Sequence, residues 1–348
     1  MWGIRHPIVK MDMETRRRTT LLILWGWVSL LLPAAAAAGE AEKSYSSLRA
    51  PLESAGPARG DIPVPQAGAF EEKTDGSLAL SAAVNFNVYF VNVGQGDAQY
   101  IELPSGQNVL IDGGPSGSRI GAFLQERGVT SIDHVVLTHP HSDHYRGLGW
   151  VFDHTEVRNF YDTQLDNTGS TGDEAIRVKA AAEPDCATHY PRVGERLDWG
   201  SGASVLVLNS CPDRSASGTG MDGGAEINNC SISLKIAAGG FSVLFPGDSQ
   251  EQAERAMVAR FGDALRSNVL KVGHHGSRES SSPAFLAAVQ PKTAVISVGK
   301  NGYGLPTDDA IGRLEAVNAA VYRTDRDGTL QARPRSPGLY ASDVKPLP

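Results

Sequence analysis

The sequence predicts one layered α/β domain, preceded by an export segment and a linker. Three observations support this prediction. From Asn87 onwards, short apolar strands that end in Gly or Asp alternate with amphipathic helices, as is typical of α/β folds. Hydrophobic residues make up 41% of the 348 residues and charged residues 20%, which is enough for a large core and excludes a disordered chain. A run of His and Asp directly follows one strand, where α/β folds bind ligands.

Composition excludes several other classes of protein. The 3 Cys are too few for a disulfide-stapled mini-protein and form no Cys-x-x-Cys zinc motif. No internal repeat indicates a solenoid. The formal net charge of −7 argues against a general nucleic-acid coat, which is normally basic, but it leaves room for a local basic groove.

The N-terminus has the organisation of a secretory signal peptide. Arg16–Arg18 precede the apolar run Leu21–Leu32, and the small residues Ala34–Ala38 follow it, so we expect cleavage after residue 38 and export to the periplasm or the extracellular space. An uncleaved membrane anchor is the alternative, since the apolar run is barely long enough to span a bilayer. Residues 39–84 are rich in Ala, Pro, Gly and Ser and predict a flexible linker, and residues 85–348 predict the folded domain.

The first half of the domain begins with strands joined by Gly-rich turns. Its predicted strands are Asn87–Val93, Gln99–Leu103, Val109–Asp112 and Asp133–Thr138. A helix is predicted at Arg119–Arg127, because its apolar residues recur at helical spacing and Gly128 ends the pattern.

The second half continues the alternation of strands and helices. Its predicted strands are Ala203–Leu208, Cys230–Ile236, Phe241–Phe245, Val269–Val272 and Thr293–Val298. Its predicted helices are Gln250–Phe261, capped by Ser249, then Pro283–Val289, and Asp308–Ala319, capped by Thr307. A final hairpin of Val321–Thr324 with Thr329–Ala332 is expected to turn at Asp327–Gly328.

The informative segment is Thr138–His144, which follows the apolar strand at 133–138. Within it lie three imidazoles and one carboxylate, from His139, His141, Asp143 and His144, a set that suits zinc or a similar metal. A polar loop with incidental histidines is the alternative. Asp248 and the pair His274–His275 argue against it, because they also follow apolar strands. Two metals that share Asp248 would lower the pKa of a bound water and hold a substrate for in-line displacement.

This pattern resembles the metal signature of the metallo-β-lactamase superfamily. Five further segments look like the exported hydrolase domain of ComEC-type DNA-uptake proteins: Val93–Ala98, Leu110–Gly114, Asn228–Ser231, Leu270–Ser277 and Ser297–Gly299. The resemblance covers roughly residues 86–335. It implies a four-layered αββα sandwich for the domain at 85–348 and a metal-dependent hydrolase. Because the large membrane-spanning channel of ComEC is absent here, we do not expect this chain to be a DNA transporter itself.

The resemblance also implies which residues bind metal. One ion would take His139 and His141 and share Asp248 with the second, which would take Asp143, His144 and His275. His275 is preferred to His274, because the superfamily's last ligand often directly precedes Gly. His274 would then support a ligand or face the substrate. The leaving group would be protonated by a bound water or by His274, and Asp143 and Asp248 are the other catalytic candidates.

Other residues are expected around these ligands. Asp97 and Asp112 would orient ligand imidazoles, with turn formation beside Gly as the alternative. Further candidates for substrate contacts or for supporting the ligands are Asn228, Asn229, Lys271 and Ser277.

Two positions depart from the family pattern. Asn209 and Cys211 stand where many members supply a third His to the first metal, and Leu305 stands where ComEC-like chains often carry His. The first site would be weaker, or completed by water or by Asn209. Cys211 could bind metal as a thiolate, although export favours a disulfide or a buried thiol. The sequence does not choose which two of the three cysteines pair.

These residues predict hydrolysis of a phosphodiester by water activated on two divalent ions, zinc in the first instance and manganese as the alternative. The substrate would be a small-molecule or polymeric phosphodiester, such as DNA or a phosphorylated envelope component, and no protein partner is implied. One alternative is hydrolysis of a lactone, thioester or β-lactam. A second is a non-catalytic relative that keeps the metal site.

Overall fold

The computed structural model describes residues 85–165, 167, 170–211, 224–334 and 342–347. The predictions of a signal peptide at 1–38 and of a linker at 39–84 lie outside these residues. Among the described helices, none combines the length and the apolar character needed to cross a membrane.

The first sheet has eight strands. Along the chain they are β1 (Asn87–Phe90), β2 (Gln99–Glu102), β3 (Asn108–Ile111), β5 (His134–Val136), β7 (Asn159–Tyr161), β8 (Ala187–His189), β16 (Leu330–Pro334) and β17 (Ser342–Pro346). Their spatial order is β17-β16-β1-β2-β3-β5-β7-β8. The pairs from β3 to β8 are parallel and the others antiparallel.

The second sheet has seven strands. Along the chain they are β9 (Arg196–Leu197), β10 (Ser204–Asn209), β11 (Ser233–Ala238), β12 (Phe241–Phe245), β13 (Val269–Lys271), β14 (Thr293–Ile296) and β15 (Ala320–Arg323). Their spatial order is β15-β14-β13-β12-β11-β10-β9. The pairs from β12 to β15 are parallel. A separate parallel pair joins β4 (Ser131–Ile132) to β6 (Glu156–Val157).

Helices cover the outer face of each sheet. The first sheet packs against α1 (Gly117–Glu126), α3 (Leu148–His154) and α4 (Gly172–Ala182). The second packs against α6 (Glu251–Phe261), α7 (Pro283–Val289) and α8 (Asp308–Ala316). Three short helices, α2 (Ser142–Tyr145), α5 (Gly224–Asn229) and α9 (Thr324–Asp327), and two 3₁₀ turns, at Gly262–Leu265 and Gly273–Gly276, lie in the connections.

The two sheets pack face to face around a shared apolar core. Alternate side chains of β1 show the division: Val88 and Phe90 join the core between the sheets, whereas Tyr89 joins the cluster under the helices. Across the interface the rings of Phe90 and Phe245 lie 6.3 Å apart. The result is the predicted four-layered αββα sandwich.

The predicted final hairpin is wrong. Its two strands lie in different sheets: β15 pairs in parallel with β14, and β16 pairs with β1. The segment around Asp327–Gly328 therefore carries the chain from one sheet to the other. Local turn chemistry resembled a hairpin, but pairing with strands distant in sequence decided the topology.

The prediction that Ser249 caps α6 is also wrong. The helix begins at Glu251, and Asn229 Oδ1 accepts hydrogen bonds from the backbone N–H groups of Gln250 at 3.1 Å and Ala253 at 3.2 Å. The Oγ atom of Ser249 instead lies 3.0 Å from Ser233 Oγ. The Thr307 cap is confirmed, because its Oγ1 accepts from Ala310 N at 3.3 Å.

Most other predicted elements are present with ends shifted by no more than three residues, and Phe241–Phe245 and Pro283–Val289 match at both ends. The main omission is the stretch at 145–202, where the sequence analysis assigned no element and the structure forms α3, α4 and β6 to β9.

Candidate metal centre

The metal-ligand candidates meet at the carboxyl ends of strands from both sheets. His139–His144 follow β5, Asp248 follows β12, and His274–His275 follow β13. His139, His144, Asp248 and His275 are all buried. Gly96 packs directly against the backbone of Asp143, since a Cβ at residue 96 would lie only 2.3 Å from the carbonyl oxygen of Asp143.

One carboxylate oxygen, Asp248 Oδ2, lies at the centre of the cluster. It is 3.3 Å from His144 Nε2, 3.5 Å from His275 Nε2 and 3.8 Å from His139 Nε2. His275 Nε2 is also 3.2 Å from Asp143 Oδ2. The sequence-predicted ligands therefore converge on the residue that was expected to be shared.

The hydrogen bonds of the Nδ1 atoms of His144 and His275 define which ring nitrogen of each histidine faces Asp248. His144 Nδ1 lies 2.8 Å from Asp112 Oδ2, and His275 Nδ1 lies 2.8 Å from the carbonyl oxygen of Ser297. Both partners only accept hydrogen bonds, so each Nδ1 carries the proton. In a neutral ring, Nε2 then presents a lone pair towards Asp248.

That arrangement fits a bound cation. Buried lone pairs of His144 and His275 face carboxylate oxygens, and neither Nε2 atom has a hydrogen-bond partner among the described residues. Two electron-rich atoms in this arrangement repel each other unless a positive charge lies between them. Imidazole nitrogen with carboxylate oxygen is also a donor set that zinc prefers.

The directions of the pKa shifts of His144 and Asp248 also indicate that the centre favours a positive charge. Burial opposes protonation of His144, but the carboxylates of Asp248 and Asp112 raise its pKa well above the usual value. Burial also opposes ionisation of Asp248, yet His275 and His144 hold its pKa well below the usual range. The buried carboxylates thus favour a positive charge at this position, which a metal cation would also supply.

The other side of the centre holds His139 and His141. His139 Nε2 lies 3.0 Å from His141 Nδ1, close enough for both to serve one ion. Burial lowers the pKa of both rings, that of His139 well below its usual value. Both therefore stay neutral, the form that binds metal.

Cys211 and Asn209, which stand where many family members carry a third His ligand, make other contacts. Cys211 forms a disulfide with Cys230, which resolves the open pairing and removes its thiolate as a metal ligand. Asn209 Nδ2 donates to the carbonyl oxygens of Asn229 at 2.8 Å and Ser231 at 2.9 Å. These bonds tie Asn209 to the backbone of the segment before β11.

Asp112 supports two neighbours of the site at once. Besides His144, it accepts hydrogen bonds from Thr138 N and Thr138 Oγ1, each at 2.8 Å. Thr138 Oγ1 lies 3.0 Å from His139 Nδ1, and Ser231 Oγ lies 3.3 Å from the same atom. Burial, the largest influence, raises the pKa of Asp112, while His144 lowers it.

The other predicted supporting carboxylate, Asp97, pairs with Lys271. Both side chains are buried, the Lys271 ammonium forms a salt bridge with Asp97 Oδ2, and it donates to the carbonyl oxygen of Gly247 at 3.0 Å. Asp97 Oδ2 also lies 3.9 Å from His144 Nδ1. Ligand atoms of Asp97, His144, Asp248 and His275 all lie within 4.8 Å of one another.

His274 and His275 share a strained backbone turn. Their φ angles are +46° and +52°, in the left-handed region that non-glycine residues rarely adopt. Both histidines line the cleft, but His275 is buried whereas His274 is partly exposed, with Nε2 3.9 Å from Asp248 Oδ2. Such strain is frequent where a site must present two neighbouring side chains in different directions.

The centre opens into a cleft of about 570 Å³. Of the predicted outer residues, Asn228 and Ser277 line it. Asn229, by contrast, is engaged in the α6 cap. Other lining residues were not predicted from the sequence, among them Gln95, Tyr145, Arg146, Asn167, Glu279 and Tyr303. Nor were the roles of Thr138, Ser231 and Ser297, which the sequence marks only by their position beside a ligand or within a family-like segment.

The model of the metallo-beta-lactamase superfamily matches residues 91–300. The chain belongs to the metallo-β-lactamase superfamily. The matched stretch contains the whole cluster just described. Members of this superfamily are metal-dependent hydrolases, and the His/Asp cluster provides this chain with the corresponding donors.

Within the superfamily the chain is similar to ComEC-type competence proteins. It is 29% identical to ComE operon protein 3 of Bacillus subtilis over 71% of this chain and 33% of that protein. It is 32% identical to competence protein ComA of Neisseria gonorrhoeae over 60% of this chain and 26% of that protein. The chain thus spans about a third or less of the length of these two relatives.

Among solved structures, Igni18, a metallo hydrolase from Ignicoccus hospitalis, aligns with 72% of this chain and 100% of its own. The TM-score is 0.46 and the sequence identity 15%.

Proposed function

We propose that the chain is an exported hydrolase that cleaves phosphodiester bonds with two divalent ions, zinc in the first instance and manganese as the alternative. The observation that carries the proposal is the convergence of the His144 and His275 lone pairs on Asp248 at the base of an open cleft. When bound, two such ions activate water and neutralise charge on a phosphoryl group. His139, His141 and Asp248 would hold one ion, and Asp143, His144, His275 and Asp248 the other.

The chain's own residues would orient these ligands and the substrate. Asp112 and the Ser297 carbonyl fix the tautomers of His144 and His275, so both rings present Nε2 to the centre. Arg146 lines the same cleft and can hold a phosphate oxygen. His274 lines the cleft with Nε2 3.9 Å from Asp248 Oδ2 and is the candidate to protonate the leaving oxygen.

A phosphodiester is favoured over carbon substrates by the similarity to competence proteins. That similarity covers 60% to 71% of this chain. Hydrolysis of a lactone, thioester or β-lactam remains the alternative activity, because the same activated water attacks carbonyl groups.

Export belongs to the proposal. The N-terminal sequence pattern favours a cleaved signal, and the Cys211–Cys230 disulfide is of the kind that persists in oxidising compartments. The substrate would then be DNA or another phosphodiester outside the cytoplasm. Fractionation of cells that express the full chain tests this, and recovery of the uncleaved chain in the membrane fraction would favour the anchor instead.

The activity test measures hydrolysis of bis(p-nitrophenyl) phosphate by metal-loaded protein, beside a lactone and a chromogenic β-lactam. We expect metal-dependent phosphodiester turnover that His141→Ala and Asp143→Ala each reduce by at least a hundredfold. His154→Ala is the matched control, because His154 is exposed and lies outside the centre.

Three outcomes would count against the proposal in different ways. Two bound metals with turnover only of the lactone or the β-lactam would replace the phosphodiester with the carbon substrate. Bound metal without turnover of any of the three would favour a non-catalytic relative that keeps the metal site. Failure to bind metal would overturn the metal centre itself.

A further inference from the structure

One aromatic side chain stands exposed at the cleft. Tyr303 lines it and is 79% exposed. Among the described residues, the other exposed large apolar side chains are Val178 and Tyr190, and neither lines this cleft. An exposed aromatic ring beside polar catalytic groups is a feature that core packing does not explain.

The loop that carries Tyr303 is held rigidly by one side chain. Asn301 Nδ2 donates to the carbonyl oxygens of Gly299 at 2.8 Å and Leu305 at 2.9 Å. Asn301 Oδ1 accepts from the N–H groups of Tyr303 at 3.0 Å and Leu305 at 3.1 Å. Four hydrogen bonds thus fix the turn, so its exposure of Tyr303 is built into the fold.

The same loop is attached to the metal-ligand turn. Thr307 donates to the carbonyl oxygen of Gly276 through its N–H at 2.9 Å and its Oγ1 at 3.1 Å. Gly276 directly follows His275. At the other end of the loop, Gly299 N donates to Oε1 of the cleft residue Gln95 at 3.3 Å. Tyr303 therefore has a defined position relative to the metal centre.

The charges of the cleft restrict what Tyr303 could bind. Arg146 is the one Lys or Arg side chain among the described residues of its lining, which also contains Asp143, Asp248 and Glu279. A long duplex is normally held by several phosphate contacts from basic side chains. The part of the lining that the structure describes lacks such a row, so a ring that binds a base face would have to supply much of the affinity.

We propose that Tyr303 is a stacking platform for a nucleobase next to the scissile phosphodiester. The substrate class is then a single-stranded nucleic acid or a frayed strand end, because only an unstacked base offers its face to the ring. This inference rests on the proposed phosphodiesterase function and specifies its substrate. Tyr303 acts here in substrate specificity and takes no part in the chemical step.

The test compares two metal-loaded reactions of the full chain: a short single-stranded oligonucleotide, and an oligonucleotide of the same length with abasic sites throughout. For Tyr303→Ala we expect kcat/KM to fall about tenfold more on the base-bearing strand than on the abasic strand. Tyr303→Phe and Tyr303→Trp should keep the wild-type ratio, since they retain the ring. Tyr190→Ala is the matched control, as a partly exposed tyrosine outside the cleft.

Each result decides a specific point. Equal losses on the two strands, or the same selective loss in Tyr303→Phe as in Tyr303→Ala, would overturn base stacking while leaving phosphodiester hydrolysis intact. Failure of the metal-loaded wild type to cleave either strand or bis(p-nitrophenyl) phosphate would instead overturn the proposed function. Circular dichroism melting verifies that Tyr303→Ala is folded.

Discussion

The ammonium of Lys271 lies 3.6 Å from Asp248 Oδ1 and is fully buried beside the carboxylate at the centre of the cluster. It also forms a salt bridge with Asp97. Burial would disfavour the charged ammonium, but Asp97 and Asp248 outweigh it and raise the pKa of Lys271. A fixed positive charge therefore partly compensates the buried carboxylates when no metal is bound.

We predict that Lys271→Met destabilises the metal-free protein by about 3 kcal/mol, because it leaves buried carboxylates without their partner. Metal ions would restore positive charge, so the loss should be smaller with zinc than in EDTA. Urea unfolding in both conditions measures this difference.

Lys179→Met is the control for that experiment. Its salt bridge with Asp153 is solvent-exposed, and such pairs contribute about 1 kcal/mol or less. An equal destabilisation by Lys271→Met with and without zinc would contradict charge compensation.

The neighbours Asn228 and Asn229 should have separable effects. Asn229→Ala removes the acceptor at the α6 N-terminus and should cost about 1 kcal/mol of folding free energy, which Asn229→Asp should largely preserve. Asn228 is buried at the cleft, and its Oδ1 has no hydrogen-bond partner among the described residues. Asn228→Ala should therefore leave the melting temperature nearly unchanged and raise KM several-fold.

Thermal melting and steady-state kinetics on bis(p-nitrophenyl) phosphate measure both variants. A large drop in melting temperature for Asn228→Ala with unchanged KM would show that its side chain serves the fold instead.

His134 should make the fold sensitive to acid. It is 3% exposed and stacks on Trp199 with ring centroids 4.9 Å apart. Burial lowers its pKa from 6.5 to about 4. Between these pH values the unfolded chain binds a proton that the folded chain does not, so this contribution is intact above pH 6.5 and is lost as pH falls towards 4. The full loss is about 3 kcal/mol.

His134→Gln removes the titration and should flatten the fall in stability between pH 6.5 and pH 4. Urea unfolding at several pH values measures the slope. His154→Gln is the control, because that histidine is exposed and should follow the wild-type curve. Parallel curves for wild type and His134→Gln would rule out His134 as the source.

The metal ligands could be predicted from the sequence because short-range pattern and strand ends define them. Each follows an apolar strand, and parallel strands bring their carboxyl ends to one edge of a sheet. His139 follows β5 of the first sheet and Asp248 follows β12 of the second, and the packing of the two sheets places His139 Nε2 3.8 Å from Asp248 Oδ2. The resemblance to a known family added the division of ligands between two ions.

Features that depend on contacts between distant segments could not be predicted. The α6 cap comes from Asn229 rather than from the adjacent Ser249, and nothing local to the helix indicates this. The separation of β15 from β16 into different sheets depends on partner strands far away in the chain. The placement of Tyr303 beside the centre likewise depends on the bonds from Thr307 to Gly276.

The decisive experiment is to titrate metal-free protein with zinc, and separately with manganese, while recording bis(p-nitrophenyl) phosphate hydrolysis and bound metal. If Asp248 is the centre of a two-metal phosphodiesterase site, we expect no turnover without metal, a rise that saturates near two ions per chain, and loss of both signals in Asp248→Ala. Full turnover in metal-free protein, or two bound ions with no phosphodiester turnover, would contradict this expectation.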